Sequence, residues 1–261
     1  MAAKKLWTKE ELILAFNLYL KLPFGKMHKQ TPEIIELANL LGRTPSSIGM
    51  RLGNFASVDP YHISRGIKGL QGGLKQVQPI WDEFANNKEE LIFESERILA
   101  KKENKTIETK YEDILFDLKD FKGEVKLREV KTRVNQNYFR QIVLANYTNK
   151  CAITGIDVPE LLFASHIIPW SKNEQERLNP ENGLCLSALY DKAFDKGLIG
   201  INERYEILLS KDLKKKNKHD FYAQHFGSLE KEKIHIPQRY LPNKEFLQYH
   251  LDTIFEKRNR I

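Results

Sequence analysis

The chain has 261 residues, of which 41% are hydrophobic and 30% are charged, and its formal net charge is +7. These values are typical of a globular protein with one large or two small domains, and the basic balance permits a polyanionic partner without proving one. The N-terminal MAAKKLWTKEEL lacks the apolar stretch of a signal peptide, and no apolar run reaches the roughly 18 residues of a membrane span. The two cysteines, Cys151 and Cys185, are too few for a disulfide framework or a four-cysteine zinc site, so we expect a cytoplasmic protein.

Residues 1–85 are predicted to form a compact helical domain. The segment WTKEELILAFNLYL opens with Thr8 as the N-cap and Glu11 three residues later, which is the pattern of a capping box. The segment TPEIIELANLLG predicts a second helix, with Thr31 as its cap and a stop at Gly42. After a short turn, SSIGMRLGNF predicts a third helix.

The second and third predicted helices have the pattern of a helix-turn-helix unit. Ala38 is small where two helices would cross, Gly42 marks the turn, and Ile48 falls on the inner face of the third helix. We expect the polar side chains of the third helix to face outward and to contact DNA: Ser46, Ser47, Arg51 and Asn54. A plain helical bundle is the alternative, because such spacings also arise by chance.

The middle of the chain changes composition twice. GIKGLQGG, from Gly66 to Gly73, predicts a flexible turn, and residues 86–125 predict a charged, solvated helix and linker. Basic side chains then alternate along a predicted extended segment, where they form either a phosphate track or a solvated face: Lys126, Arg128, Lys131 and Arg133. Helical spacing predicts a packed helix beyond them, with core residues Phe139, Ile142, Val143 and Tyr147.

Residues 151–197 hold the side chains best suited to catalysis. CAITG predicts a strand that ends in a turn, and LLFASHIIPW predicts an apolar strand. NPENGLCLS predicts a loop that enters a short strand, and ALYDKAFDKG predicts a helix that Gly197 stops. Asn182 follows His166 by sixteen residues, and Asp191 follows Asn182 by nine. A histidine, an asparagine and an aspartate thus lie along the order strand, strand, helix.

The stretch CAITG…LLFASHIIPWS…RLNPENGLCLSALYDKAFDKGLI resembles the HNH endonuclease family, and within it the bacterial restriction-type branch. The family's ββα-metal motif is named for a His, an Asn and a second His. The resemblance covers about residues 133–202 and implies a nuclease domain over residues 126–261, with its core at 151–200. The implied fold class is α+β, with a helical N-terminal domain and a C-terminal ββα-metal domain. The implied function is metal-dependent hydrolysis of DNA in restriction or defence.

The resemblance implies a role for each side chain of the motif. Hydrolysis of a phosphodiester needs a base for the attacking water, and His166 has that role, because an unperturbed imidazole titrates near pH 6.5. Asn182 is expected to bond backbone groups across its loop and so to fix the strand that bears His166. A structural histidine and an ordinary turn asparagine are the alternative interpretations.

Two carboxylates are expected to hold the metal. Asp191 and Asp195 lie one helical turn apart, where a divalent cation would relieve their repulsion. The family usually has a histidine ligand near this position, whereas this chain has Tyr190 and Asp191. Oxygen ligands therefore imply Mg²⁺ or Mn²⁺ over Zn²⁺. Ser165 stands where the family often has aspartate and offers a hydroxyl as a further ligand, and the alternative for Asp195 is pairing with a neighbouring lysine.

Double-stranded DNA is the expected partner, no membrane association is expected, and a homodimer is left open. Two other functions fit the sequence. The missing second histidine would suit a DNA-binding protein whose nuclease site has decayed, and a divalent-metal cleavage assay distinguishes it. A nuclease for RNA or structured junctions is the other, and competition between nucleic acids distinguishes that one.

Overall fold

The computed structural model describes residues 6–22, 24–66, 68–115, 122–237, 240–255 and 257. The chain divides into two compact units, Met1–Asn135 and Gln136–Ile261. Within the described ranges, no helix is long and apolar enough to cross a membrane.

The first unit is helical. Its helices are α1 (Lys9–Lys21), α2 (Pro32–Leu41), α3 (Pro45–Ala56), α4 (Pro60–Ser64), α5 (Leu74–Phe84), α6 (Lys88–Lys102), α7 (Ile107–Lys110), α8 (Glu112–Leu115) and the start of α9 (Gly123–Asn146). Short 3₁₀ turns occupy Phe24–Lys26 and Gln71–Gly73.

Helices α1 to α3 form as the sequence predicts. Thr8 and Glu11 make the reciprocal bonds of a capping box at the start of α1. The chain leaves α2 through Gly42, whose φ of 60° lies in the left-handed region that glycine adopts without strain. Ile34, Ile48 and other apolar side chains are fully buried between these helices. The pair α2 and α3 with its tight turn is therefore present, and its contact with DNA stays a prediction.

The outward orientation expected for Arg51 and Asn54 is wrong, because both side chains are buried within the first unit. The Arg51 guanidinium lies 4.7 Å over the Trp7 ring and donates to Gln76 Oε1 at 2.8 Å. Asn54 Nδ2 donates to the Leu70 carbonyl. Both residues therefore hold the domain together, whereas Ser46 is exposed and Ser47 half-buried, as a DNA-contacting role would require.

The glycine-rich segment expected to be a flexible turn is packed against α3. Leu70 N donates to the Gly53 carbonyl at 2.9 Å, and Gly69 lies so close to Ser57 that any Cβ there would overlap its backbone. Glycine at position 69 is thus required by a close approach of two backbones.

The prediction of a solvated helix and linker over residues 86–125 is wrong for α6, because this helix packs into the core of the first unit. Leu91 and Ile98 belong to the same buried cluster as Phe16 of α1. Asn17 Nδ2 also donates to Ser95 Oγ at 2.7 Å in the interior. The weak periodicity of the sequence does not reveal the buried side of α6, which includes Glu96 as well as apolar residues.

The prediction of an extended basic segment is wrong, because its four basic residues lie in α9: Lys126, Arg128, Lys131 and Arg133. Lys131 forms a 2.5 Å ion pair with Glu90, and Arg133 donates to the Ile114 carbonyl at 3.1 Å. These contacts bind α9 to α6 and α8 within the first unit. A phosphate track along alternating residues does not form, since helical residues two apart point in different directions.

The second unit mixes helices with two small antiparallel sheets. Its elements, after the end of α9, are β1 (Leu162–His166), β2 (Gly183–Ser187), α10 (Ala188–Asp195), β3 (Ile199–Ile201), β4 (Ile207–Leu209), α11 (Lys211–Lys214), α12 (Asp220–His225) and α13 (Lys244–His250). Pro159–Leu161 and Pro180–Asn182 are 3₁₀ turns, and Leu251–Phe255 is a π-helical turn. β1 pairs with β2, and β3 pairs with β4.

The predicted order strand, strand, helix is confirmed by β1, β2 and α10, and Gly197 ends the helical run with a φ of 64°. The strand expected at CAITG is wrong, because residues 152–154 form a turn. In this turn, the Cys151 Sγ accepts a bond from Ser187 N at 3.2 Å, and Ala152 N donates to the Cys185 carbonyl at 2.7 Å. The turn thus caps the end of the sheet without extending it.

His250 is a packed residue of the second unit, as its helical stripe predicts. Its ring stacks on Phe194 with a centroid distance of 3.7 Å, and Nε2 donates to the Phe194 carbonyl at 3.0 Å. Burial lowers the pKa of His250 to about 4.

This pKa predicts a loss of stability in acid. The folded form binds its proton less readily than the unfolded form, whose pKa is about 6.5, so the stability that His250 contributes is complete above that pH. It falls as the pH drops towards 4, by about 3 kcal/mol in the free energy of unfolding. Urea unfolding at several pH values measures it. His250→Gln, which does not titrate, should lose less stability than the parent, and equal losses would contradict the account.

Candidate active site

The pairing of β1 with β2 places the candidate residues at one end of the small sheet. His166, the last residue of β1, lies opposite Gly183, and Ser165 lies opposite Leu184. Ile167 N donates to the Asn182 carbonyl at 2.9 Å and so continues the ladder one step beyond the strand. The loop between the strands therefore begins and ends beside the candidate base.

The ring of His166 is held on three sides. It stacks on Phe139 of α9 with a centroid distance of 3.8 Å, and it is nearly perpendicular to the Trp170 ring at a centroid distance of 5.5 Å. Nε2 lies 2.9 Å from the Arg177 carbonyl. A carbonyl oxygen only accepts, so Nε2 carries the proton and Nδ1 is the basic nitrogen of the neutral ring.

Burial lowers the pKa of His166, an effect that the bond to the Arg177 carbonyl partly opposes. The charge of the Arg177 side chain lowers the pKa further. The neutral ring therefore prevails at physiological pH, which is the form that accepts a proton.

Arg177 orders the loop whose carbonyl holds His166. Its Nε donates to the Trp170 carbonyl at 2.7 Å, and its guanidinium lies 5.2 Å over the Trp170 ring. The backbone oxygen that fixes the tautomer of His166 thus belongs to a residue that is itself anchored. No pattern in the sequence points to this role, because the residue acts through its backbone carbonyl.

Phe139 and Gly183 are positioning residues that the sequence did not identify. Helical spacing predicted Phe139 as core, which is confirmed, but the spacing does not show that the ring lies against His166. A Cβ on Gly183 would overlap Val143 Cγ2 and lie 3.0 Å from Phe139 Cζ. Glycine at position 183 therefore lets α9 approach the sheet closely enough for Phe139 to support the imidazole.

We expect Gly183→Ala to lower both stability and cleavage rate, because the new methyl displaces Val143 and the ring under His166. Overpacking of this kind costs about 1–3 kcal/mol in the free energy of unfolding. Thermal unfolding and single-turnover cleavage measure the two effects. Gly25→Ala is the matched control, since a Cβ there meets nothing within 4 Å. Equal behaviour of the two variants would contradict the close approach.

Asn182 bonds the loop as the sequence predicts. Its Oδ1 accepts from Ile168 N at 2.8 Å, and its Nδ2 donates to the carbonyls of Ile168 and Glu176 at 3.2 and 3.1 Å. The side chain is fully buried. These three bonds tie the residues just after His166 to the residues just before β2, so Asn182 fixes the geometry of the strand end.

We expect Asn182→Ala to destabilise the protein by about 3 kcal/mol, because three backbone groups lose a buried partner. The cleavage rate should fall as well, since the loop no longer holds the imidazole. Urea unfolding and a cleavage assay measure these losses. Gln141→Ala, which removes an exposed amide from the same unit, should change neither. Unaltered stability in Asn182→Ala would rule out the structural role.

Ser165 and Asp191 are brought together, and Asp195 lies one turn further along α10. Ser165 Oγ donates to Asp191 Oδ1 at 2.5 Å, and Ser165 is buried. Burial raises the pKa of Asp195 and the charge of Asp191 raises it further, although Lys192 and Lys196 partly oppose this increase. The ionised form of Asp195, at the end of α10, is therefore less stable than that of an exposed aspartate.

These donors fit a hard divalent cation. Among the described residues, no group of three His, Cys, Asp or Glu side chains could hold a metal ion. Mg²⁺ does not need such a group, because it keeps several waters and uses one or two carboxylates together with substrate phosphates. An all-oxygen pair of Asp191 and Ser165 matches that preference and does not match the nitrogen and sulfur ligands of structural zinc sites.

The remaining predicted site residues belong to the first unit and are not part of this cluster: Ser46, Ser47, Arg51, Asn54, Lys131 and Arg133.

Comparison with known families supports the second unit alone. The family model described as HNH endonuclease matches residues 151–202, which run from the Cys151 turn through β1, β2 and α10 to the end of β3. The matched range contains all five candidate catalytic and metal-binding side chains: Ser165, His166, Asn182, Asp191 and Asp195. No curated protein matches the chain.

Proposed function

We propose that this chain, whose residues 151–202 form an HNH endonuclease domain, hydrolyses phosphodiester bonds of double-stranded DNA with the help of a divalent cation. The proposal includes a role in restriction or defence, which rests on the resemblance to restriction-type nucleases. The observation that carries the proposal is the state of His166: a neutral ring, held by its Nε2 on a backbone carbonyl, with Nδ1 as the basic atom.

His166 acts as the general base in this proposal. Its Nδ1 takes a proton from the water that attacks the phosphorus atom, and the ring becomes an imidazolium. The Arg177 carbonyl stabilises that charge through Nε2. Phe139 and Trp170 keep the ring from rotating, so that the proton acceptor has one direction.

Asn182 has a positioning role. It touches backbone groups alone, through Ile168 and Glu176, and it therefore acts on the reaction through the placement of His166. The backbone hydrogen bond from Ile167 N to the Asn182 carbonyl holds the end of β1, next to His166, in place.

Asp191 would hold the cation, with Ser165 beside it and Asp195 on the same helix face. Mg²⁺ or Mn²⁺ is the proposed ion, since all three side chains offer oxygen. When bound, the cation supplies stabilisation of the negative charge that develops on the phosphate. Ser165 orients the Asp191 carboxylate through its hydroxyl, so that one oxygen is fixed in direction.

The helical first unit is proposed to bind duplex DNA through the start of α3. Ser46 is exposed and Ser47 half-buried there, and serine hydroxyls are among the side chains that contact phosphates. Arg51 and Asn54 are no longer part of this surface, because their side chains are buried.

The test is a cleavage assay of the purified full chain. Supercoiled plasmid, single-stranded DNA and RNA are each incubated with Mg²⁺, with Mn²⁺ and with a chelator. Cleavage of the plasmid with either metal, and none with the chelator, is the expected result. Preferential cleavage of RNA would show that RNA, and not duplex DNA, is the substrate. A plasmid that stays uncut with both metals would contradict nuclease activity.

The restriction role has a separate test. Digestion of methylated and unmethylated DNA, followed by sequencing of the ends, should give fragments with a common sequence at the cut and a dependence on modification. Random ends that do not depend on modification would remove the restriction role and leave the nuclease itself intact.

A further inference from the structure

A lysine-rich segment of the second unit lies outside the cluster described above. Five of the eight residues from 211 to 218 are lysine, and one, Asp212, is acidic. The segment comprises α11 and the turn after it, and all five lysines are exposed. Surfaces of ordinary solvated domains intersperse both signs of charge, so a single-sign run of this density needs an explanation.

Two of these lysines form ion pairs at the surface, and two others have no acidic partner among the described residues. Lys214 pairs with Glu230 at 3.0 Å, and Lys215 pairs with Asp212 at 3.3 Å, both at the surface. Lys216 and Lys218 have no acidic partner in the described part of the chain. Exposed pairs contribute little to stability, so the segment is not explained by ion pairing.

The start of the segment is anchored just beyond the end of α10, the helix that carries Asp191 and Asp195. At its start, the buried Ser210 donates its backbone N–H to the Leu198 carbonyl at 2.9 Å, three residues after Asp195. The Ser210 hydroxyl caps α11 by accepting from Leu213 N, and Leu213 is buried. The lysines thus project from a fixed turn.

A second anchor holds the far end of the segment. Tyr190 of α10 donates its hydroxyl to the His225 carbonyl at 2.7 Å, and its ring meets Phe226 edge-on at 5.7 Å. The start of residues 210–226 is therefore bonded to Leu198, just after α10, and its end is bonded to Tyr190 within α10. The attachment brings a cluster of positive charge to the neighbourhood of α10.

We propose that Lys211–Lys218 is a contact surface for the phosphate backbone of duplex DNA beside the cleavage site. The inference rests on the proposed function, and it assigns a partner surface to the nuclease domain itself. Lysine suits this task because phosphate contacts position a duplex without reading its sequence. The lysines also offset the repulsion between the DNA and the carboxylates of α10.

The test is the salt dependence of DNA binding. In a His166→Ala background, which binds without cutting, a labelled short duplex is titrated at roughly 50 to 200 mM salt. Each phosphate contact contributes about 0.9 to the slope of log K against log salt, so Lys216→Ala/Lys218→Ala should flatten the slope by about 1.8. Its affinity at low salt should fall about tenfold.

The matched control is Lys102→Ala/Lys105→Ala, which removes the same charge from exposed positions of the first unit. It should retain the slope and the affinity of the background protein. If the parent cleaves duplex DNA while the Lys216/Lys218 variant binds with an unchanged slope, the lysine contact surface is excluded and the proposed nuclease function is not affected. If the parent neither binds nor cleaves DNA, the proposed function and the inference fall together. A loss confined to RNA binding would likewise overturn the duplex assignment.

Discussion

His166→Ala should reduce the single-turnover cleavage rate by about 1,000-fold, because a positioned general base contributes roughly 10²- to 10⁴-fold to such a reaction. DNA affinity should stay close to that of the parent, since the base acts on the water and touches the duplex little. His235→Ala, which changes an exposed histidine of the same unit, is the control and should cut at the parental rate. A His166→Ala protein that is folded and fully active would exclude the base.

The pH dependence of the parent follows from the same residue. Burial lowers the pKa of His166, so the neutral base is present above an ordinary imidazole's pKa of about 6.5 and for some way below it. The cleavage rate should therefore hold as the pH falls to 6.5 and should decline only at lower values. A decline that begins well above pH 7 would contradict a buried, neutral imidazole.

Asp191→Ala should abolish cleavage at limiting Mg²⁺, with a loss of roughly 100-fold or more, because the principal oxygen ligand is gone and Ser165 loses the acceptor of its hydroxyl. A large excess of Mn²⁺ should restore a small part of the rate. Asp157→Ala removes an exposed carboxylate from the same unit and serves as the control.

Asp195→Ala separates the two carboxylates. A large loss makes Asp195 a second ligand, whereas a small loss makes it a charge that its neighbouring lysines balance. The raised pKa of Asp195, caused by burial and then by Asp191, favours the first result, because a cation would relieve both. Cleavage by Asp191→Ala at the parental rate under limiting Mg²⁺ would show that the metal site lies elsewhere.

Local signals in the sequence predict much of the fold. Bonds within a few residues determine the capping box of Thr8 and Glu11 and the helix ends at Gly42 and Gly197. These features can therefore be predicted without tertiary information. The ββα order could be predicted from the sequence for a different reason. His166, Asn182 and Asp191 occur together in an order that few proteins share, and the family match covers them.

The errors share one physical cause, which is packing between distant segments. Arg51 and Asn54 have the polar types of a DNA-contacting helix, yet Trp7, Gln76 and Leu70 bury them from other parts of the chain. Residues 86–125 look solvated because α6 is rich in charge, although its apolar face completes the core. Composition does not reveal which face of a helix meets a neighbour.

The supporting parts of the site were hidden for a related reason. Arg177 acts through a backbone carbonyl, which every residue has, and Gly183 acts by lacking a side chain. Phe139 was assigned to the core correctly, but its contact with His166 joins two segments that are far apart in the sequence. Side-chain chemistry was predictable from the sequence, whereas the placement of that chemistry was not.

Chemical rescue tests the central claim, that His166 Nδ1 removes the proton from the attacking water. His166→Gly leaves a space between Phe139 and Trp170 that has the shape of an imidazole ring. Cleavage of duplex DNA by this variant in Mg²⁺ should be near background and should rise with added imidazole. The rise should follow the neutral form of imidazole as the pH is varied. A folded His166→Gly protein whose cleavage is unchanged by imidazole, or is already at the parental rate without it, would contradict the account.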